Sequence, residues 1–481
     1  MAKESDMKSL LDWVTEEGGS IHPDVVIGKD NTFGWTLQVR KDSHGLPPGS
    51  VAVSCPLSTT ISYHDAMEES SDPFPNLFLS SIDYGTISAF FLVKQQLLGS
   101  RSRWHPYLQT LPPPSSVDEL GSPANFNDED LVWLKGTNLE TSYLEYKKVW
   151  QRDWEKGIMM LERAKWPQGE DYTWDLYRWA IFIISSRAFR STLSFPCLNS
   201  DSKSRPEVAV LIPLLDLLNH NPFAKTQWQP TSADPPVEFL VNLLIQEPLQ
   251  PGLQIWNNYG SKSNDELLLS YGFCIPNNPF DQVALRVSFP AGSPIAEAKE
   301  KQASLREPHR PPPPSEVYYI RGRTHPHRYK DSPTELIAFP RPLLDSLSII
   351  FASDEELEDH LRITADRCYI EPSPTTNPIS PSPDVLIELQ NWLTRLFEKI
   401  KEFSPSLPPE PKNQKQQNAS IYRSSQLDIL ATGILMLECA MRERTEGSGE
   451  FDVSDMSDLF ENFPEEMSEK NRRWIKKIFA S

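Results

Sequence analysis

Four short stretches carry side chains whose types and spacing suit chemistry: Ser185-Ser-Arg187-Ala-Phe189, Asp216-Leu-Leu-Asn219-His220, Tyr259-Gly-Ser-Lys-Ser-Asn264 and Tyr271-Gly-Phe273. Asn219 and His220 offer side-chain and main-chain groups that can pair with the edge of a heterocycle or with an ammonium. Arg187 can hold a carboxylate through two parallel N–H···O bonds, and Phe189, two residues on, can wall a channel. Tyr259 stands at the end of an extended segment before Gly260, so its hydroxyl is expected free to point into a cleft. Each stretch alone fits ordinary structure equally well: a core tyrosine at a turn, an Asn221-Pro222 turn signal, a helix-terminal arginine beside a core phenylalanine. His325-Pro-His327 has metal-binding residue types but no third ligand nearby, and no metal is expected. The acidic run Asp354-Glu-Glu-Leu-Glu-Asp359 follows the capping box Ser353-x-x-Glu356 and reads as a solvated helix start. No G-x-S-x-G, H-E-x-x-H, Walker A or G-x-G-x-x-G occurs.

The elements that must position these residues follow from periodicity. Residues 6–17 form a short amphipathic helix closed by Gly18-Gly19. Gly34–Val39 and Val51–Cys55 alternate as strands, with a turn at Gly45–Gly49. Between 75 and 195 the spacing becomes helical, over Ile87–Leu98, Leu139–Leu161 and Trp174–Phe189. Val208–Ile212 is a buried strand before a proline, and Val237–Ile245 another strand. Ser263-x-x-Glu266 is a capping box for a helix that carries Leu267, Leu268 and Tyr271 on one face and ends at Gly272. Residues 307–333, rich in Pro, Arg and His, read as a linker or surface loop. Helices follow over Thr334–Phe351, Asp354–Arg367, Val385–Phe403 and Ser424–Arg444. Two mobile stretches separate them, Pro372–Pro383 and Ser404–Asn418.

With 481 residues, about two to four domains or subdomains are expected. The net charge of −19 argues against nucleic acid as the main partner, since phosphate binding needs a basic face. An acidic surface instead steers basic partners such as lysine-rich tails, and it also serves solubility. The five cysteines, Cys55, Cys197, Cys274, Cys368 and Cys439, are too scattered for a disulfide framework or a C-x-x-C zinc site. Reduced thiols, an N-terminus without an apolar signal core and the lack of a long apolar run lead to the expectation of an intracellular protein of nucleus and/or cytoplasm that touches no membrane.

Taken in order, these elements resemble the SET-domain methyltransferases, in the branch typified by the plant Rubisco large-subunit lysine methyltransferase. The resemblance rests on Phe33-Gly34-Trp35-Thr36, Ser186-Arg-Ala-Phe189, Asp216-Leu-Leu-Asn-His220 and Tyr259 through Phe273. It covers residues 20–290 well and the remainder in character. The turn around Phe33 departs from the family, with Thr32 in place of the first glycine and Trp35 in place of a smaller apolar residue.

The resemblance implies an α+β chain: a β-rich SET fold with an inserted helical subdomain, followed by an all-α C-terminal domain. The expected boundaries are an N-terminal helix at 1–19, a SET domain at 20–295 with its insert at about 75–200, a Pro-rich linker at 296–333 and a helical substrate-binding domain at 334–481. S-adenosylmethionine is the implied methyl donor, contacted by Gly34, Trp35, Arg187, Asp216, Asn219, His220 and Tyr259. Its adenine would lie by His220 and its carboxylate by Arg187. Tyr259 is the implied catalytic residue, and Phe189, Tyr271 and Phe273 the walls of the acceptor channel. The implied activity is lysine N-methylation of a non-histone protein by a monomer. The actin-histidine methyltransferase branch is also similar but has asparagine where this chain has Phe189, which suits an imidazole better than a lysine stem. A histidine methyltransferase, and a catalytically silent partner-binding scaffold, are the alternatives.

Overall fold

A computed structural model describes residues 2–30, 34–194, 207–232, 239–288, 291–293, 296–297, 300, 315–322, 324–327, 336–351 and 381–446. The chain divides into two compact units. The first comprises Met1–Asn127, Tyr143–Lys262 and Leu269–Gly272, the second Asp128–Ser142, Ser263–Leu268 and Phe273–Ser481.

In the first unit, helix Glu4–Glu16 buries Met7, Leu10 and Val14, whose three- and four-residue spacing makes one apolar stripe. A four-stranded antiparallel sheet follows in the order Ser20–Ile21, Val51–Pro56, Phe239–Ile245 and Thr226–Ser232. Val53 faces Leu243 and Cys55 faces Val241 across its centre, and all four side chains are buried. Thr226–Ser232 was not legible as a strand. It is an edge strand, where Gln227 and Gln229 face solvent and Pro230 is tolerated. Val25–Asp30 pairs with Gly34–Val39 as a hairpin; the Thr32-Phe33 part of the expected glycine turn lies outside the described residues. A three-stranded sheet joins Ile61–Ser62, Ala209–Leu211 and Phe189–Arg190.

Helices Tyr84–Leu98 and Trp174–Arg187 start at side-chain caps, Asp83 accepting from the Thr86 amide and Thr173 from the Leu176 amide. They pack through Phe90 and Tyr177, with ring centroids 5.5 Å apart. The second helix ends at Arg187 because Ala188 turns extended and Phe189–Arg190 joins the small sheet. That helix-to-strand switch separates the environments of Arg187 and Phe189.

The second unit holds a two-stranded ribbon, Gln282–Ser288 against Ser315–Arg321. The linker expected at 296–333 is therefore corrected over this stretch. Alternation in Glu316-Val-Tyr-Tyr-Ile320 buries Tyr318 and Ile320 on one face while Val317 and Tyr319 stay exposed, and this period of two outweighs the proline-rich surroundings. Helix Pro383–Phe403, capped by Ser382, buries Leu386, Leu389, Leu393, Phe397 and Ile400 along one face. The last described helix runs Gln414–Glu446, so it starts well before the expected Ser424. Asn413 caps it by accepting from the Gln416 amide at 2.9 Å, and the Lys/Gln-rich start consists of good helix formers. Helix Arg341–Phe351 is described, whereas the expected helix 354–367, with its acidic run, lies outside the described residues. No described helix is long and apolar enough to cross a membrane.

Candidate active site

Two segments of the first unit run side by side. The Asn257 amide donates to the Asn219 carbonyl at 2.8 Å, the Asn221 amide donates to the Asn257 carbonyl at 2.9 Å, and His220 and Asn257 form a parallel bridge. This pairing sets His220 beside Tyr259. The Tyr259 amide donates to His220 Nδ1 at 3.1 Å, and the two rings stack at 4.8 Å and 14°. Tyr271 stacks on Tyr259, at 5.1 Å and 23°. Three rings thus form a column with Tyr259 in the middle.

Tyr271 is held in the column by its neighbours. Ser122 Oγ donates to the Leu269 carbonyl at 2.7 Å and Ser185 Oγ to the Ser270 carbonyl at 3.0 Å. Gly272 has φ +81° and lies so close to Gly121 that a Cβ would meet its Cα at 2.9 Å, so glycine is required on both grounds. The capped helix expected over 263–272 is shorter. The capping box of Ser263 and Glu266 is present on helix Asn264–Glu266, but Leu267–Tyr271 then widens into a π turn, a form common at functional sites.

The Tyr259 hydroxyl is not free, contrary to the expectation. It donates to the Leu218 carbonyl at 2.7 Å, because the sharp turn at Gly260, φ +103°, leaves the ring lying along the 218–220 segment. Burial raises its pKa above the ordinary phenol value, with the Arg187 charge opposing. It is therefore a neutral phenol whose proton is committed and whose lone pairs remain as acceptors. Burial also lowers His220 from 6.5 to about 4, against a hydrogen bond to the Asn257 backbone. At neutral pH His220 is uncharged, with Nδ1 as acceptor.

Arg187 does not stand open to a ligand carboxylate with its whole fork. Its Nη1 donates to the Asp216 carbonyl oxygen at 3.1 Å and to Asp216 Oδ2 at 3.3 Å, and Tyr107 donates its hydroxyl to the same Oδ2 at 2.8 Å. Burial raises the Asp216 pKa, opposed by Arg187 and by the Tyr107 hydrogen bond. Burial is the largest single influence on Arg187 and lowers its pKa, yet Asp216, Tyr107 and Tyr259 together outweigh it, so the pKa is raised and the guanidinium stays charged. Asn219 donates through Nδ2 to Gln254 Oε1 at 2.6 Å. Phe189 is buried against Trp228, centroids 4.5 Å apart and edge-on. Trp228 Nε1 in turn donates to Asn257 Oδ1 at 3.1 Å.

Gly34 has φ +77°, and Trp35 donates its indole N–H to the Ala2 carbonyl at 3.0 Å, which ties it to the residues just before the N-terminal helix. Phe273 belongs to the second unit, half-buried, its amide donating to the Leu267 carbonyl at 3.4 Å. His325 accepts from the His327 amide through Nδ1 at 3.1 Å, and no group of metal-ligating residues occurs among the described residues. Tyr107, Trp228 and Gln254 belong to the candidate site and were not singled out. Their partners lie far away in sequence, and the polar edge strand that carries Trp228 offered no legible period.

No protein-family profile matches the chain. It is 29% identical over 442 residues to the ribosomal lysine N-methyltransferase set10 of Schizosaccharomyces pombe, covering 91% of this chain and 73% of that protein. It is 24% identical over 367 residues to the actin-histidine N-methyltransferase of Mus musculus, covering 75% of this chain but 55% of that protein. Its fold is similar to the SET domain of LSMT solved with lysine and AdoHcy, with a TM-score of 0.68 at 18% identity over 95% of this chain and 96% of that one. The chain thus shares the fold of the LSMT SET-domain structure, an α+β fold with a helical C-terminal region.

Proposed function

We propose that the chain is an S-adenosylmethionine-dependent protein-lysine N-methyltransferase. The observation that carries the reading is the column His220–Tyr259–Tyr271 built on the paired segments 219–221 and 257–259. The 29% identity to a ribosomal lysine N-methyltransferase supports it.

S-adenosylmethionine, when bound, supplies a methyl group on a positively charged sulfur. The residues present fit such a donor. Among the described residues Asn257 Nδ2 and Asp216 Oδ1 are buried polar atoms with no hydrogen-bond partner, a donor and an acceptor beside the paired segments. Gly34, Trp35, Asn219, His220 and Tyr259 make up the rest of the donor side. Arg187 offers the donor carboxylate the guanidinium edge that Asp216 leaves unused.

Tyr259, as a neutral phenol, accepts a hydrogen bond from the acceptor amine and orients its lone pair; positioning of this kind supplies much of the rate in an in-line displacement. With its pKa raised, Tyr259 does not take the amine proton. The lysine ammonium loses that proton to water before attack, helped by apolar surroundings and the nearby sulfonium charge, both of which lower its pKa. Phe189, packed on Trp228, and Tyr271 wall the acceptor side with apolar surface, which suits the methylene stem of lysine better than an imidazole. The substrate is a non-histone protein in a lysine-rich, basic setting, toward which a net charge of −19 steers. We place the enzyme inside the cell, acting as a monomer.

Transfer of labelled methyl from S-adenosylmethionine into a cell lysate, followed by mapping of the modified residue, tests the reading. Labelled lysine is the expected result. Labelled histidine would transfer the chain to the histidine methyltransferases, and no transfer with no donor binding by calorimetry would leave a binding scaffold.

A further inference from the structure

The Leu218 carbonyl, to which the Tyr259 hydroxyl is bonded, stands at the end of a strained turn. Leu214 has φ 66° and ψ −45°, and the Leu215 amide donates to the Pro213 carbonyl at 2.8 Å. This is a γ-turn of the rare, strained hand. A leucine resists it because its Cβ crowds the following carbonyl oxygen. Such geometry persists only where the surroundings over-determine it. Here the surroundings act on Asp216. Its amide donates to the Ile212 carbonyl at 3.1 Å, Arg187 Nη1 reaches both its carbonyl oxygen and Oδ2, and Tyr107 donates to Oδ2. Tyr107, from helix His105–Leu108, is fully buried. Its hydroxyl reaches the site through Asp216.

We propose that Tyr107 is a positioning residue for Tyr259: through Asp216 it holds the strained Leu214 turn, which aims the Leu218 carbonyl at the Tyr259 hydroxyl. The inference rests on the reading of Tyr259 as the residue that orients the acceptor. Without the Tyr107 hydroxyl, Leu214 relaxes toward an ordinary φ, the Leu218 carbonyl shifts, and Tyr259 loses its orientation while the donor contacts remain.

Tyr107→Phe is expected to lower kcat about tenfold per folded molecule, since small misplacements at a reacting centre are costly. The Kd for S-adenosylmethionine should stay within about twofold by the same logic of separate contacts. Adding Leu214→Gly, which adopts the same φ without strain, should recover most of the lost kcat. In a Tyr259→Phe background, Tyr107→Phe should have no further effect on kcat, and this cycle decides if the glycine variant fails to fold. Hydrogen exchange of the Leu215 amide gives a readout independent of activity: protection should fall in Tyr107→Phe and return with Leu214→Gly. An equal kcat loss with and without the Tyr259 hydroxyl, or unchanged exchange at Leu215, would overturn the proposal. A wild-type chain that transfers no methyl would instead remove the functional reading, and the exchange measurement would still decide whether the clamp exists.

Discussion

At Tyr259 three constraints meet in one side chain: a ring stacked on both faces, a hydroxyl proton given to Leu218, and burial that keeps the phenol neutral. Removing the hydroxyl should leave the ring column intact. Tyr259→Phe is therefore expected to lower turnover about a hundredfold, the scale of losing one preorganised polar group at a reacting centre, with donor affinity nearly unchanged. Single-turnover labelling together with calorimetry checks both halves, and unchanged turnover would remove Tyr259 from the chemistry. His220 carries a pH dependence. Its folded value of about 4 lies below the ordinary 6.5, so the fold favours the neutral ring. That contribution to stability is complete above pH 6.5 and is lost progressively as pH falls from 6.5 toward 4. Denaturant midpoints measured between pH 7 and 5 should fall in the wild type and fall less in His220→Gln; parallel curves would show that another group dominates. The type and order of Tyr259, His220, Asn219 and Phe189 were readable before the fold. Their partners were not, because hydrogen bonds from Tyr107 or Trp228 depend on which distant segments the fold brings together.

Among elements, the segment 269–272 shows how a short stretch is held by its neighbours. Gly272→Ala places a Cβ against Gly121 and forces a side chain into a left-handed backbone. The expected cost is more than about 1 kcal/mol of stability, with the Tyr271 stack loosened. Chemical denaturation measures the first and near-ultraviolet dichroism the second, and full retention of both would mean that the 121–122 loop gives way freely. In the second unit, Asn413→Ala removes the cap of helix Gln414–Glu446 and also the bond from Asn413 Nδ2 to Asp130 Oδ1 at 2.9 Å. A loss of about 1 kcal/mol is expected for the cap alone. Long amphipathic helices such as Pro383–Phe403 were legible from spacing, since one face must bury a continuous apolar stripe. The edge strand Thr226–Ser232 and the strand Ser315–Arg321 were harder to see: prolines and polar residues are allowed wherever one side of a strand meets solvent.

For the molecule as a whole, charge is the property most open to measurement. With a net charge of −19, encounter with a basic protein substrate should be helped by long-range attraction, which salt screens over about 8–10 Å at physiological strength. The KM for that substrate is expected to rise as salt is raised from low to moderate concentration, while kcat and the Kd for S-adenosylmethionine change little. A KM insensitive to salt would assign the acidity to solubility alone.

The sequence by itself determined the SET-type architecture, the order of the candidate site residues and the apolar character at Phe189, because motif order and hydrophobic period are local properties of the chain. The tertiary structure decided how those residues are used. It engages the Tyr259 hydroxyl, commits part of Arg187 to Asp216, and stacks Tyr271 on Tyr259. These outcomes depend on contacts between residues far apart in sequence, and on a strained turn at Leu214 that no local propensity of leucine favours.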